Sequence, residues 1–130
     1  MSQAARYQGM FPAFAPTTKT VRTNASLEHT LKLIPQIVAE TLDQTKELAP
    51  TLVGNTITET CQYIWNFCKR NFKYKQDEDG KEQVRSPRRA WQDRHLGIDC
   101  DCYSTLISSI LTNLRIPHML RVTKYPDPNK

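Results

Sequence analysis

Glycine is scarce, with 4 in 130 residues. So few glycines exclude a collagen-type repeat and a flexible Gly-rich linker, although proline numbers 8. No apolar run approaches the roughly 20 residues that a membrane-spanning helix requires. The opening residues MSQAARYQGMFPAFAPTT hold no continuous apolar stretch and no convincing cleavage site. They predict a chain without a secretion leader, placed in the cytoplasm or, in a phage-encoded protein, in the virion. Apolar residues make up a low 38%, so part of the chain belongs outside any core. One modest domain is still within reach, because a chain of this length buries about 65–70% of its unfolded surface.

Lys and Arg total 18 against 13 Asp and Glu, a net charge of +5. A surplus of this size suits nucleic acid or another acidic surface without demanding either. Residues 69–94 concentrate it, with nine basic and five acidic side chains and with Phe72 and Tyr74 interleaved. The mixed signs make a solvated loop a simpler account than a single-strand-binding surface. The four cysteines are Cys61, Cys68, Cys100 and Cys102. In a chain without a leader they read as reduced thiols.

The chain divides into an arm at 1–23, a helical element at 24–50 and a core domain at 51–130. In the arm, Tyr7, Met10, Phe11 and Phe14 stand without period among Pro12 and Pro16. It reads as a disordered tail or as an extended arm that docks its aromatics on another subunit. From Ser26, Leu27, Leu31, Ile34, Val38 and Leu42 share one helical face, interrupted by Pro35 and closed by Pro50. A second helix follows Gly54, with Thr56 and Glu59 at capping-box spacing. Its expected apolar stripe is Ile57, Cys61, Ile64, Trp65, Cys68 and Phe72. Cys61 and Cys68 lie two turns apart on it, too far to bridge. Phe72 and Tyr74 then alternate with lysines as a short strand. Ser86-Pro87 predicts a helix start, Trp91 its buried anchor and Gly97 its stop.

The chemistry concentrates in residues 96–122, LGIDCDCYSTLISSILTNLRIPHMLRV. Tyr103, Leu106, Ile107, Ile110, Leu111 and Leu114 form a strong helical stripe that Ile116-Pro117 ends. Residues 118–125 then read as a strand. Cys100 falls in the first turn of this helix. Unpaired backbone N–H groups and the positive dipole end there lower a thiol's pKa and hold an oxyanion during acyl transfer. Asp99 and Asp101 work against the thiolate while serving as caps.

The run Gly97-Ile98-Asp99-Cys100-Asp101-Cys102, the apolar helix, and Leu114-Arg115-Ile116-Pro117 with the following strand resemble the transglutaminase-like superfamily. Val84-Arg85-Ser86-Pro87 resembles that family's approach to its cysteine, and the likeness spans about residues 55–125. It implies an α+β, papain-like core in which a Cys-bearing central helix packs on a small, incomplete antiparallel sheet, preceded by N-terminal helices. It also implies a peptidase, amidase or acyltransferase working through a Cys100 thioester on a protein or peptide. Asp99 and Asp101 take supporting roles, and Cys102 stands where relatives often carry a second acidic residue.

The family completes its site with a His and then an Asp or Asn on strands downstream of 118–125, and no residue here matches them. His118 falls on the expected strand itself, His29 lies far upstream, and His95 on the short helix is the weak candidate for a recruited base. Without a base and an acid a thiol is nearly inert. Three explanations stay open: a longer polypeptide, a recruited His95, or a fold retained as a non-catalytic assembly component of a phage or bacterial structure. The last expects homo- or hetero-oligomers through the arm or an open sheet edge. A zinc site from Cys100, Cys102 and His95 with Cys61 or Cys68 has the wrong spacing, so no metal or cofactor is expected.

Overall fold

The computed structural model describes residues 7, 9–11, 18–20, 27–76 and 83–121. Helix dominates. Helix α1 (Leu27–Glu40) leads through two 3-10 turns, Leu42–Gln44 and Ala49–Leu52, into α2 (Ile57–Asn71). A short α3 (Pro87–Gln92) precedes α4 (Cys100–Asn113). Two three-residue strands, β1 (Thr18–Thr20) and β2 (Gln83–Arg85), pair antiparallel with Lys19 opposite Val84. No described helix is long and apolar enough to cross a membrane.

Local signals in the sequence place most helix ends. Thr56 Oγ1 accepts the Glu59 N–H at 3.1 Å, and Glu59 Oε2 accepts the Asn55 N–H at 2.8 Å, so the Thr-x-x-Glu spacing works as a cap. Ser86 caps α3 through the Arg89 N–H, with Pro87 in the first turn. Gly97 adopts φ +111°, and a Cβ there would lie 2.5 Å from the Lys75 Cβ, so only glycine fits the approach to α4. At the other end of α4, Arg115 takes φ 58° and the Ile116 N–H reaches the Leu111 carbonyl at 2.9 Å. That six-to-one bond closes the helix before Pro117 can disturb it.

Four expectations need correction. First, the helical face at 26–49 ends at Glu40, while Pro35 lies inside α1 without ending it; Ser26 lies outside the described residues. Second, the stripe of α2 is rotated. Ile57, Cys61 and Trp65 are exposed, while Thr60, Ile64, Phe67 and Cys68 are buried. Phe67 is worth more to the core than Trp65 because it meets Trp91, Phe72 and Tyr7 together. Third, residues 118–121 carry no strand, because His118 turns back onto α4 instead of pairing; residues 122–130 lie outside the described set. Fourth, residues 72–75 supply only a parallel bridge, Tyr74 to Ile98, and the regular pairing comes from β1 and β2.

The core has two parts. The larger joins α2, α3, α4 and the second 3-10 turn around Trp91, with Phe67, Phe72, Ile98, Leu106 and Ile110. Phe11 is 4% exposed and stacks on Trp91 at 5.0 Å, so Tyr7, Met10 and Phe11 of the arm pack on this chain's own core. The smaller sets Ile34, Ile37 and Val38 of α1 against Val84 of β2. Polar bonds tie the 3-10 segment to α4. Thr45 Oγ1 shares a proton with Ser109 Oγ at 2.6 Å, and Asn113 Nδ2 donates to Thr45 Oγ1 at 2.7 Å and the Leu42 carbonyl at 2.8 Å. Buried polar groups need such partners, and these fix the height of α4 in the fold.

Candidate active site

Asp99 builds the start of α4. It is buried and extended, and its Oδ1 accepts the Cys100 N–H at 2.6 Å. The same oxygen accepts the Tyr74 hydroxyl at 3.0 Å. The Asp99 carbonyl takes the N–H groups of Cys102 and Tyr103 at 3.0 and 3.1 Å. Beside it, Ile98 exchanges backbone bonds with Lys73 and Lys75, so the segment carrying Tyr74 is clamped to the segment that opens the helix. Tyr74 also stacks on Tyr103, with centroids 6.3 Å apart, and makes an aromatic wall next to the cap.

Helix geometry then separates the two thiols. Two residues along an α-helix turn a side chain by about 200°. Cys100 is exposed and Cys102 is fully buried. Cys100 shares its face with Tyr103, Ile107 and Leu111, at i+3, i+7 and i+11. These three line a groove of about 480 Å³ between α4 and α2, closed on the other side by Cys61, Ile64 and Trp65. Lys69 lies over the Trp65 ring at its rim, 4.7 Å from the centroid.

The expected lowering of the Cys100 pKa is reversed. Partial burial of the sulfur, then the charges of Asp101 and Asp99, then hydrogen bonds to both carboxylates push the thiol up to about 12. Its proton points to Asp101 Oδ1 at 3.6 Å. The helix dipole acts through partial charges, while two whole negative charges flank the sulfur, so the carboxylates prevail. At neutral pH the site holds a thiol.

No protein-family model, curated protein or solved structure matches this chain. Its chemistry has to be read from its own geometry.

That geometry leaves the histidines apart from the thiol. His95 is exposed in the turn after α3, and no hydrogen bond joins it to Cys100 among the described residues. His118 Nε2 pairs with Ser108 Oγ at 2.7 Å and its Nδ1 with the Ile116 carbonyl at 2.8 Å. Ser108 is eight residues along α4, about 12 Å from Cys100. His29 lies on α1, its side chain outside the described set. The zinc grouping does not assemble: Cys100 and Cys102 point apart, and among the described residues no three His, Cys, Asp or Glu side chains cluster to hold a metal ion.

Sequence reasoning missed the surroundings of Cys102. Arg85 on β2 donates its backbone N–H and its Nη1 to the Cys102 sulfur at 3.5 and 3.4 Å, and its Nε to Asp93 Oδ2 at 2.8 Å. Arg89 shares that carboxylate oxygen at 3.0 Å. Arg94 lies over the Trp91 ring, 4.1 Å from its centroid. Three of the nine basic residues counted at 69–94 are thus engaged inside the fold, which weakens the nucleic-acid reading. The only hint in the sequence was Arg85 standing directly before the Ser-Pro helix start.

Proposed function

We propose that this chain is a transglutaminase-like cysteine module of papain-like architecture in which Cys100 is the acyl-accepting nucleophile, held at rest as a neutral thiol. The observation that carries the reading is the position of Cys100: it is exposed in the first turn of a helix whose inner face, Cys102, Thr105, Leu106, Ser109 and Ile110, is buried. There it presents a sulfur to solvent, while the N–H groups of Cys100, Cys102 and Tyr103 are held by Asp99. Asp99 fixes the cap, Asp101 takes the thiol proton's hydrogen bond, and a base must reach the sulfur before it attacks. Attack of the thiolate on a substrate acyl carbon forms a C–S bond and expels the amine, which takes up a proton; water or a second amine then releases the acyl group. Protein or peptide amides are the substrate class.

The test is covalent capture. A peptide bearing an electrophilic warhead in place of its scissile amide is incubated with the chain and the adduct is located by mass spectrometry. The adduct is expected on Cys100, slow at pH 7 and faster as pH rises, and absent from Cys100→Ala. Equal labelling of wild type and Cys100→Ala sinks the reading.

One observation favours a second reading, a non-catalytic assembly module. Trp65 on the wall of the groove between α2 and α4 is 55% exposed, and Ile57 on the same helix is 64% exposed, apolar surface that a partner could cover. This reading expects an oligomer or a stable complex. Light scattering that returns a monomer at every concentration tested would remove it.

A further inference from the structure

Cys102 has no part in that chemistry, yet its environment is more specific than that of Cys100. It is fully buried, in the same cluster as Trp91, Ile98 and Leu106. Its sulfur accepts two N–H groups from one residue, Arg85, and one of them belongs to the guanidinium. Arg85 and Asp93 are themselves largely buried, with side chains 12% and 8% exposed. A guanidinium keeps its charge in a protein. A cation is therefore lodged within hydrogen-bond reach of a buried sulfur. A neutral thiol is a weak acceptor, whereas a thiolate is a strong one that an adjacent arginine stabilises.

Among the described residues, carboxylates stand near the pair: Asp93 on Arg85, and Asp99 and Asp101 at the start of α4. Asp93 and Arg89 lie beyond Arg85, joined to each other through Asp93 Oδ2. Asp101 precedes Cys102 on α4, and Asp99 lies before it at the cap. The described buried side chains of α1 and of the 3-10 turns are uncharged: Ile34, Ile37, Val38, Thr45, Leu48 and Leu52. In α2 the neighbouring thiol, Cys68, is pushed up to about 12 by burial and stays neutral. Burial also works against the Arg85 charge, but its bonds to Cys102 and then to Asp93 more than offset that and raise its pKa.

We propose that Cys102 is carried as a buried thiolate paired with Arg85, and that this pair positions the first turn of α4, and Cys100 with it, against β2. The pairing stands whether or not Cys100 reacts with an acyl substrate. Cys102 is thus a positioning residue, and its charge is the property that matters.

Thiolate absorbance at 240 nm tests the charge on the full chain. At pH 7.5 the native protein is expected to absorb by one thiolate more than Cys102→Ser, and the Cys61→Ser and Cys100→Ser variants are expected to keep that excess. The unmutated chain provides the same reading if the serine variant fails to fold: unfolding in denaturant at pH 7 should abolish the absorbance, since a free thiol has a pKa of about 8.5. No excess in the native chain, or an excess that disappears with Cys61→Ser, overturns the thiolate. Positioning is tested by charge rescue. Cys102→Asp should retain the wild-type denaturant midpoint and the wild-type alkylation rate at Cys100, while Cys102→Ser lowers the first and changes the second. If the two variants behave alike, the charge has no positioning role.

Discussion

Replacing Trp91 with alanine is expected to remove a large share of the protein's stability. Trp91 is fully buried and stands at the centre of the larger core. Phe11 stacks on it at 5.0 Å and Phe67 at 6.1 Å, Phe72 and Tyr7 meet it edge-on at 5.9 and 6.4 Å, and Arg94 covers its ring. Those partners come from three separate stretches of chain, so they cannot collapse together into the space the indole leaves. A substitution of this kind costs about 3–5 kcal/mol, against a total stability of about 5–15 kcal/mol for a domain. Urea denaturation followed by far-UV circular dichroism measures it. Trp65→Ala is the control: that ring is 55% exposed on α2, and its loss should shift stability by no more than about 0.5 kcal/mol. Equal losses at the two tryptophans would mean that the core is centred elsewhere.

Removing the negative charge next to the candidate nucleophile should speed its alkylation. In Asp101→Asn the carboxylate that most strongly opposes a Cys100 anion is gone, while the Asp99 cap remains. Below its pKa a thiol gains tenfold in thiolate for each unit its pKa falls. A less basic thiolate is also less nucleophilic, so the net gain is about threefold per unit. Iodoacetamide labelling of Cys100, followed by peptide mass spectrometry at pH 8, reads this directly. The sign also appears in the pH profile. In the wild type the rate should keep climbing through pH 10, because the thiol sits at about 12. In Asp101→Asn the climb should level off at lower pH. An unchanged rate would assign the raised pKa to burial of the sulfur and to Asp99.

The same resting state bears on how the module would be used. A thiol held neutral by partial burial and two carboxylates is protected from oxidation and from indiscriminate acylation, since both proceed through the thiolate. A base brought to the sulfur by substrate or by a further segment of polypeptide would then turn reactivity on. Asp101 would gain a second use there, because it already accepts the proton that has to leave.

Several features were written plainly in the sequence. Ser86-Pro87 and Thr56 with Glu59 fixed helix starts through hydrogen bonds spanning only a few residues, whereas the short helix ends at Gln92, before the expected stop at Gly97. The stripe on α4 and its end at Ile116-Pro117 were legible because periodicity is a property of one helix. So was the placing of Cys100 at a helix start and of Trp91 in the core.

Other features depended on what lies across the fold. Which side of α2 turns inward could not be read from α2, because Phe67 and Trp65 are both apolar and only the position of Trp91 chooses between them. The protonation of Cys100 was likewise undecided locally: the same four residues supply a dipole that favours the anion and two charges that oppose it, and distance and burial set the balance. Cys102 is the clearest case. Its spacing from Cys100 says only that it faces the other way. Its proposed charge depends on Arg85, 17 residues earlier on a strand the sequence did not announce. The sequence by itself determined the helix caps and the opposite facing of Cys100 and Cys102, because those follow from neighbours along the chain. Tertiary structure alone decided the electrostatics of both thiols, because charge acts through space and burial is a property of the whole molecule.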